Sequence, residues 1–494
     1  MRGMIYIFGC LLTMGVFAKQ PNVVLIMADD LSHYSVAVYG SKTYSTPNLD
    51  RLANTGMRFN EAYALPLCTP SRVAIMTGMN NGRNYIGGHS LELSQVTFGE
   101  LFRDAGYATC FAGKWKLSVD GSTPGDFGFD EYAITEYQVS HPRFKNAVMN
   151  INGEIVKHTK GEYGPDVANA FALDFLERNK DKPFFLYYPM ILIHDPHTPT
   201  PDSPKYEANE YDNANVPDMV HYMDMLAGNV IDRLEELGLR ENTLVIFTGD
   251  NGNKKVNTVV LNDGTQYGGG KGWLKDEGVH VPMIANLPGV VPVGTNDDLI
   301  DFTDVLPTIC DYAGISIPPT VPVDGISFLP QILGRKNPVL RTAIYDWYRN
   351  TPKQELQESA FNKEYRLYSN GNFFSVKDDF KEKSALAISE MTERQMDIHR
   401  MLQAALDDHA LVPVAKLIPE EQSVKMHVGE QLQLGIKVLP ENATQTTLRW
   451  KSSNDAVVTV NKWGRLTAGK KGNAGITVTS FDGNRNVCIP VSVQ

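Results

Sequence analysis

The sequence predicts an α/β fold: a large, mainly parallel sheet sandwiched by helices, then a small antiparallel C-terminal subdomain and an all-β sandwich. Three observations predict it. Apolar runs of buried-strand type alternate with helical patterns through the first 340 residues. Two alternating runs then flank an Asn-Gly pair at 370–371, the turn that a hairpin favours. Residues 416–494 consist of short alternating runs rich in Val, Thr, Gly, Ser and Asn.

The first 18 residues differ from the rest. Met1-Arg2 precede an apolar run over residues 4–17, and Val16-Phe17-Ala18 forms the small-residue end of a cleavage site. This pattern predicts a secretory signal peptide over 1–18 and therefore export. Lipidation at Cys10 stays a minor alternative, because Phe8 fits that motif poorly. No internal apolar run is long enough to span a bilayer.

Length and charge narrow the class of protein. A chain of 494 residues predicts two or three domains, or one large α/β domain with an appendage. A net charge of −11 argues against a nucleic-acid binder, which would carry a basic excess. Too few cysteines remain after cleavage for a disulfide framework, even in an oxidising compartment. They are Cys68, Cys110, Cys310 and Cys488.

Two apolar runs end in hard oxygen donors. The run 23–27 is followed by Asp29 and Asp30, and the run 243–248 is followed by Asp250 and Asn251. A third strand-like run covers 183–190. Because ligands bind outside the carboxyl ends of parallel strands, we expect the two acidic pairs to be neighbours in space.

Helical patterns separate these runs. A helix is predicted from Pro47, with Thr46 as its N-cap, and an amphipathic helix over 220–237. The α/β region is assigned to 19–340 and the antiparallel subdomain to 341–412, with a hairpin over 365–376 and a helix over 392–407.

The most specific motif is Cys68-Thr69-Pro70-Ser71-Arg72. Its four fixed residue types would occur by chance in such a chain about once in a thousand sequences. It resembles the signature of the type I sulfatases, members of the alkaline-phosphatase-like superfamily, and the resemblance covers roughly residues 20–410. Further matching segments are Thr46–Ala53, Gly113-Lys114-Trp115, Phe184–Tyr188, Gly249–Gly252 and Gly270-Lys271-Gly272.

The resemblance implies a nucleophile made after translation. In this family the cysteine of the motif, here Cys68, is oxidised to Cα-formylglycine by a formylglycine-generating enzyme. The aldehyde hydrate has two hydroxyls: one attacks a sulfate ester, and loss of the proton from the other expels sulfate. The signature residues Pro70 and Arg72 fit the modification signal, and Arg72 would also stabilise the charged aldehyde site.

A metal site is also implied. Asp29, Asp30, Asp250 and Asn251 match the family's calcium ligands, with the modified Cys68 as a further ligand. Oxygen donors of this kind suit Ca²⁺, or less well Mg²⁺, rather than zinc.

The remaining chemistry falls to cations. By resemblance, Lys114 and Lys271 bind the sulfuryl oxygens, and His194 binds substrate and protonates the leaving group. His197 is the competing histidine, because it too stands in a His-x-Pro context. Lys116 occupies the place where the family often has histidine, so the base for sulfate release is open while Lys116 stays a substrate-binding candidate.

Other loop residues have weaker claims. His280 stands where the family commonly has arginine, which indicates either a packing or a pocket position. His141, Arg143 and Lys254 follow the predicted strands and are candidates for the pocket wall.

The C-terminal segment 416–494 resembles the bacterial Ig-like domain, group 2. The resemblance rests on Val428-Gly429, Leu439–Thr444, Trp450–Asn454 and Gly464–Ala468. The segment carries ten Lys/Arg against six Asp/Glu, so two roles stay open: contact with an anionic glycan or cell surface, or a rigid spacer and stability module.

Together these features predict a bacterial sulfatase, periplasmic, extracellular or at the cell surface, that acts on a sulfated carbohydrate. Two alternatives remain. One is a phosphonate monoester or phosphodiester hydrolase of the same superfamily, and the other is a catalytically silent glycan-binding surface protein.

Overall fold

The computed structural model describes residues 20–494 except 86–90, 119–120, 136–141 and 352. The predicted signal peptide, Cys10 and the pocket candidate His141 lie outside the described residues. Within them, no helix is both long and apolar enough to cross a membrane.

A ten-stranded sheet forms the centre of the molecule, in the order β13-β2-β12-β9-β1-β8-β4-β5-β6-β7. Strands β9, β1, β8, β4 and β5 run parallel, while β12, β6 and β7 pair antiparallel with their inner neighbours. The strands of this half of the chain are β1 (Asn22–Ala28), β2 (Met57–Phe59), β3 (Ala62–Tyr63), β4 (Ala108–Gly113), β5 (Glu131–Thr135), β6 (Val148–Ile151), β7 (Glu154–Lys157), β8 (Phe184–Pro189), β9 (Thr243–Gly249), β10 (Val259–Val260), β11 (Gln266–Tyr267), β12 (Met283–Asn286), β13 (Gly294–Asn296) and β14 (Ile300–Asp301).

Helices cover both faces of this sheet, which explains the unbroken apolar run of β1. Val23, Leu25 and Met27 enter one core, whereas Val24 and Ile26 enter the other, because successive side chains of a strand point to opposite faces. The helices are α1 (Pro47–Asn54), α2 (Cys68–Thr77), α3 (Asn81–Asn84), α4 (Phe98–Asp104), α5 (Gly164–Arg178), α6 (Val216–Glu236), α7 (Asp276–Val279), α8 (Val305–Ala313), α9 (Leu329–Ile332) and α10 (Glu393–Asp408).

The α/β fold class predicted from the sequence is confirmed. The amphipathic helix predicted at 220–237 is α6, whose apolar stripe is buried. One detail differs: α1 does begin at Pro47, but the Thr46 hydroxyl makes no cap to the helix backbone. It accepts from the Ala37 amide at 2.9 Å and donates to the Asp50 carboxylate at 3.2 Å, which ties the preceding loop to the helix instead.

A second, antiparallel sheet follows, in the order β15-β16-β17-β18. Its strands are β15 (Ile344–Tyr348), β16 (Gln357–Phe361), β17 (Tyr365–Tyr368) and β18 (Phe373–Ser375). The β17–β18 hairpin turns at the predicted Asn-Gly pair, where Gly371 adopts φ 88°. Leu402 and Leu406 of α10 and Trp347 of β15 join the core on one face of the main sheet. This subdomain is therefore packed against the main sheet.

The C-terminal residues form β sheets with a core of their own. The strands are β19 (Lys416–Pro419), β20 (Val424–Met426), β21 (Gln431–Gln433), β22 (Ile436–Leu439), β23 (Leu448–Ser452), β24 (Val458–Val460), β25 (Arg465–Ala468), β26 (Gly472–Ser480) and β27 (Asn486–Val493).

Polar bonds join this sandwich to the α/β region. Lys462 forms an ion pair with Glu100 of α4 and donates to the Gln95 carbonyl at 2.8 Å. Gln445 donates to the Gly82 carbonyl at 2.9 Å. The sandwich therefore lies against the α/β region, and Lys462, one of its basic side chains, is used in that contact.

Candidate active site

The sheet brings the two acidic pairs together, as predicted. Strands β1 and β9 run side by side with Ala28 opposite Gly249, so the residues that follow them meet. The Asp30 amide donates to Asp250 Oδ1 at 2.9 Å, and Asn251 Nδ2 donates to Asp30 Oδ1 at 2.8 Å. Gly249 permits this approach, because a Cβ there would lie 2.1 Å from the Leu31 carbonyl oxygen.

Cys68 is the first residue of α2 and is buried. The Ser71 hydroxyl holds the turn before the helix: it accepts from the Leu65 amide at 3.0 Å and donates to the Leu67 carbonyl at 2.8 Å. Cys68 Sγ and carboxylate oxygens of Asp29 and Asp250 lie within 4.8 Å of one another. The motif residue thus reaches the acidic pairs from a helix start, where the dipole favours negative charge.

Arg72 binds the acids rather than standing free beside Cys68. Its Nε and Nη2 donate to Asp250 Oδ2 at 3.0 and 2.7 Å, and its Nη1 donates to the Lys114 carbonyl at 3.2 Å. Burial and the neighbouring Asp29 raise the pKa of Asp250 to about 6, and Arg72 opposes that rise. Arg72 therefore orients Asp250 and supports its charged form.

Each predicted lysine lies on one carboxylate of the first acidic pair. Lys114 Nζ lies 2.7 and 2.6 Å from the two oxygens of Asp29, and Lys271 Nζ lies 2.6 Å from Asp30. Burial alone would raise the pKa of Asp29 and Asp30, but Lys114, Lys271 and His194 hold both below their usual range. Burial disfavours the charged Lys271, yet Asp30 raises its pKa.

The two glycines directly before Lys271 are required by packing. A Cβ on Gly269 would lie 2.0 Å from the Lys254 carbonyl oxygen, and one on Gly270 would lie 2.4 Å from the Glu277 carbonyl carbon. The Lys271 amide donates to the Asn253 carbonyl at 3.0 Å. The segment is thus threaded between two stretches of backbone, and this fixes the base of the Lys271 side chain.

His194 faces the same centre. Its Nδ1 lies 2.9 Å from Asp195 Oδ1 and 2.7 Å from the Asp195 carbonyl oxygen, while its Nε2 lies 4.0 Å from Asp30 Oδ2. The hydrogen bond from His194, together with Lys254 at 3.2 Å, holds the pKa of Asp195 below its usual range. Asp195 therefore orients the ring so that Nδ1 faces Asp195 and Nε2 faces the acidic pairs.

The competing His197 lies further from the acids but is also well oriented. It is buried, and its Nδ1 lies 2.8 Å from Asn213 Oδ1. Its ring stacks on Tyr211 with centroids 6.0 Å apart. Burial lowers the pKa of His197 below its usual value, and the hydrogen bond with Asn213 opposes this only in part. Both histidines thus remain next to the centre, with His194 in closer contact with Asp30.

The two residues that depart from the family pattern, Lys116 and His280, lie in different surroundings. Lys116 is half-buried and lies two residues beyond Lys114, on left-handed backbone with φ 40°. His280 is buried in a ring stack, with centroids 4.0 Å from His33 and 4.7 Å from Tyr63, and its Nδ1 lies 3.1 Å from Asp276. The position of His280 favours the packing interpretation over the pocket one.

Sequence reasoning did not identify Asp195 as a partner of His194. The signal was present, since a carboxylate directly follows the histidine, but adjacency alone does not show that the two side chains turn toward each other. Arg143 and Lys254, predicted only as pocket candidates, both contact this pair: Arg143 Nη2 lies 3.1 Å from His194 Nδ1.

The acidic centre fits a hard cation. Asn251 Oδ1 is buried and has no hydrogen-bond partner among the described residues. A buried amide oxygen without a partner destabilises the fold unless a hydrogen-bond donor or a cation binds it. Beside it lie the carboxylates of Asp29, Asp30 and Asp250, an all-oxygen set of the kind that Ca²⁺ prefers.

Comparison with known proteins decides the family. The family model described as sulfatase matches residues 21–315, which is more than half of the chain. The chain belongs to the sulfatase family. The arylsulfatase A of Homo sapiens is 32% identical over 377 residues, covering 67% of this chain and 71% of that protein. The N-acetylgalactosamine-6-sulfatase of Canis lupus familiaris is 30% identical over 356 residues, covering 64% of this chain and 66% of that protein. This sulfatase is therefore a sulfuric ester hydrolase.

Two further family models match the C-terminal half of the sulfatase. The model described as N-sulphoglucosamine sulphohydrolase, C-terminal, matches residues 269–408, and the bacterial Ig-like domain (group 2) matches residues 414–489. The second match confirms the predicted Ig-like resemblance.

Solved structures share the fold. A sulfatase from Pseudoalteromonas sp. superposes with a TM-score of 0.64 at 24% identity, covering 79% of this chain and 90% of that one. A protein in complex with its substrate D-glucosamine-2-N,6-O-disulfate superposes with a TM-score of 0.66 at 21% identity, covering 79% of this chain and 98% of that one. These likenesses support the predicted α/β architecture.

Proposed function

We propose that this sulfatase is exported and hydrolyses sulfate esters of a sulfated carbohydrate, with formylglycine at position 68 and a bound calcium ion. The observation that carries the proposal is the position of Cys68. Its Sγ lies at the start of a buried helix, within 4.8 Å of carboxylate oxygens of Asp29 and Asp250. From this position, the side chain of residue 68 can act as a nucleophile on a substrate group that an oxygen-ligated cation also binds.

The calcium ligands are Asp29, Asp30, Asp250 and Asn251, with the modified residue 68 completing the set. The unpartnered Oδ1 of Asn251 supports this assignment. An ion held by these residues would supply a Lewis acid for a sulfate oxygen and for a hydroxyl beside it. Arg72, bonded twice to Asp250, keeps that carboxylate oriented.

Lys114 and Lys271 bind and orient the sulfate group. Each ammonium is fixed by a carboxylate, so its charge is in place before the substrate arrives and needs no reorganisation during the reaction. Lys116 is the third cation of the substrate-binding set. Together these side chains neutralise charge that develops on the sulfuryl oxygens.

A formylglycine hydrate at position 68 would supply one hydroxyl for attack on the sulfate ester and a second for the release of sulfate. His194 protonates the leaving oxygen, and Asp195 at 2.9 Å holds its imidazole in the required orientation. A sugar alkoxide is a poor leaving group, so this proton matters most for carbohydrate substrates. His197 is the alternative donor, and the two are separated experimentally below.

The carbohydrate class rests on the predicted signal peptide and on the Ig-like domain, which suit polysaccharide breakdown outside the cytoplasm. A formylglycine-generating enzyme is the maturation partner. The ion pair of Lys462 with Glu100 favours the spacer and stability role for the Ig-like domain, since it binds that domain to the rest of the enzyme.

The decisive experiment is peptide mass spectrometry across Cys68, on enzyme produced with a formylglycine-generating system, together with sulfate release from a panel of sulfated sugars. We expect a formylglycine mass and sulfate release, both lost in Cys68→Ser and both retained in Cys488→Ser, a control at an exposed cysteine. An unmodified Cys68 thiol in active enzyme would contradict the assignment of formylglycine as the nucleophile. Faster cleavage of a phosphodiester than of a sulfate with the same leaving group would favour the phosphodiesterase alternative.

A further inference from the structure

A cavity outside the acidic centre is lined by the segment that follows Lys271. Its volume is about 620 Å³, within the range of small-molecule sites. One wall is Trp273 to Lys275, which begins two residues after Lys271. The opposite wall comes from the antiparallel subdomain, through Glu355 to Glu358 and the β17–β18 hairpin. A ligand in this cavity would thus contact both parts of the enzyme, including the segment that begins two residues after Lys271.

The lining suits a sugar ring. Trp273 is 42% exposed, although tryptophan usually buries its ring; the Lys255 ammonium lies over the ring, 4.4 Å from its centroid. Phe374 adds a second aromatic surface. Aromatic rings bind the C–H faces of sugars. The amides of Gln357, Asn370 and Asn372 also line the cavity and can pair with hydroxyl groups as both donors and acceptors.

The charge of the lining disfavours an anionic unit. Glu355 and Glu358 contribute carboxylates to the cavity, against the ammonium of Lys275, while the charge of Glu382 is paired with Arg366. That ammonium donates to the Lys381 carbonyl at 2.7 Å. A sulfate or carboxylate in this place would be repelled by the surplus of negative charge.

A buried carboxylate forms part of the wall. Glu382 is 6% exposed, and its Oε2 accepts from the Tyr368 hydroxyl. Its Oε1 lies 3.2 Å from Arg366 Nε. Glu382 is therefore held in the wall by an ion pair and a hydrogen bond, which fix the β17–β18 hairpin on this side of the cavity.

We infer that this cavity, termed the Trp273 cavity, binds an uncharged sugar unit of the glycan, next to the sulfated unit held at Lys271. The inference rests on the proposed function, because it takes the sulfated unit to be at Lys271. Binding of the neutral unit makes the enzyme selective for a sulfated sugar whose neighbour is uncharged. The Trp273 ring is the main contact of that neighbour.

Binding to the whole enzyme gives the first test. The Cys68→Ser variant is titrated with neutral disaccharides (lactose, cellobiose and chitobiose) and followed by calorimetry. We expect at least one to bind, with Trp273→Ala weakening it about tenfold or more and Trp273→Phe retaining part of the affinity. Trp463→Ala, at a tryptophan that is 40% exposed in the Ig-like domain, is the matched control and should bind like the parent. No binding by any of the three, or equal binding by Trp273→Ala, would overturn the inference.

Turnover gives the second test. Sulfate release is compared for galactose 6-sulfate, N-acetylgalactosamine 4-sulfate and N-acetylglucosamine 6-sulfate, each alone and extended by one neutral galactose. We expect the extension to raise kcat/KM in the parent and Trp273→Ala to reduce that preference. Glu355→Lys should raise several-fold the activity on a disaccharide whose second unit is also sulfated. Equal losses of kcat/KM by Trp273→Ala on single and extended sugars would contradict the inference. No sulfate release from any of these substrates would contradict the proposed function, and the binding test would then decide whether the cavity binds a sugar.

Discussion

Lys114 Nζ lies 2.7 and 2.6 Å from the two carboxylate oxygens of Asp29, so a residue proposed to bind sulfate is paired with one proposed to bind calcium. Lys271 and Asp30 repeat the arrangement at 2.6 Å. Each ammonium neutralises a buried carboxylate and, by the same charge, repels a cation. The site therefore balances two requirements, positive charge for the sulfate and negative charge for the metal.

This balance predicts opposite effects of one substitution. Lys271→Met should lower kcat/KM by about 100-fold or more, because a preorganised cation is lost from the sulfuryl oxygens. The same change should tighten calcium binding, because it removes the positive charge beside Asp30. Calorimetric titration with Ca²⁺ and steady-state kinetics measure the two effects. Lys42→Met, at an exposed lysine, should change neither, and weaker calcium binding by Lys271→Met would refute the argument.

Asn251 and Asn253 offer a matched pair for the metal site. Asn251 Oδ1 has no partner, whereas Asn253 Oδ1 accepts from the Ser32 amide at 3.0 Å. Calcium should raise the melting temperature of the parent by mass action, and Asn251→Ala should lose most of that rise. Asn253→Ala should melt lower with and without calcium, yet keep the rise. Thermal melts with calcium and with a chelator check this, and a full calcium shift in Asn251→Ala would exclude it as a ligand.

Leaving-group dependence separates the two histidines. A general acid is needed for a sugar alkoxide but hardly for 4-nitrophenolate, which leaves without a proton. His194→Ala should therefore lower kcat/KM by about 10²–10⁴ on a sugar sulfate and much less on 4-nitrophenyl sulfate. His197→Ala should affect both substrates alike. The reverse pattern would assign the proton to His197, whose Nδ1 is also oriented, by Asn213 at 2.8 Å.

The His280 stack predicts a pH dependence of stability. Burial disfavours charged His280, but Asp276 outweighs it and raises the pKa of His280, while His280 helps to lower the pKa of Asp276 to about 2. A histidine whose pKa is raised by folding stabilises the folded protein at pH values below its unfolded pKa of about 6.5. This contribution is lost as the pH rises through the folded pKa. His280→Gln should therefore lower the melting temperature by about 2–4 °C more at about pH 6 than at about pH 9. An equal loss at both pH values would show that the charge of His280 does not stabilise the fold.

Folding shifts the pKa of the adjacent His33 in the opposite direction, so His33 changes the stability in the opposite sense as the pH falls. Burial and the charge of His280 lower its pKa, so its contribution is present above about 6.5 and is lost as pH falls. His33→Gln should therefore cost least stability in acid. Comparing the two variants over the same pH range separates the effect of His280 from general acid destabilisation.

Much of the architecture was predictable because it follows from local pattern. The unbroken apolar run of β1 indicated a strand buried on both faces, and the stripe of α6 indicated a helix covering the sheet. The proximity of Asp30 to Asp250 followed from the rule that neighbouring parallel strands deliver their carboxyl ends to one edge. The chemistry assigned to Cys68 came from resemblance, since no pattern of polarity distinguishes it from any other buried cysteine.

By itself, the sequence determined the α/β order of elements, the acidic pairs at the strand ends and the motif at Cys68. These depend on residue types and on periods of two and 3.6, which neighbouring residues set. Only the tertiary structure decided that Arg72 binds Asp250, that Asp195 orients His194 and that His280 stacks between two rings. It alone placed Trp273 opposite the β17–β18 hairpin, because such contacts join segments that are distant along the chain and depend on how the subdomain packs against the sheet.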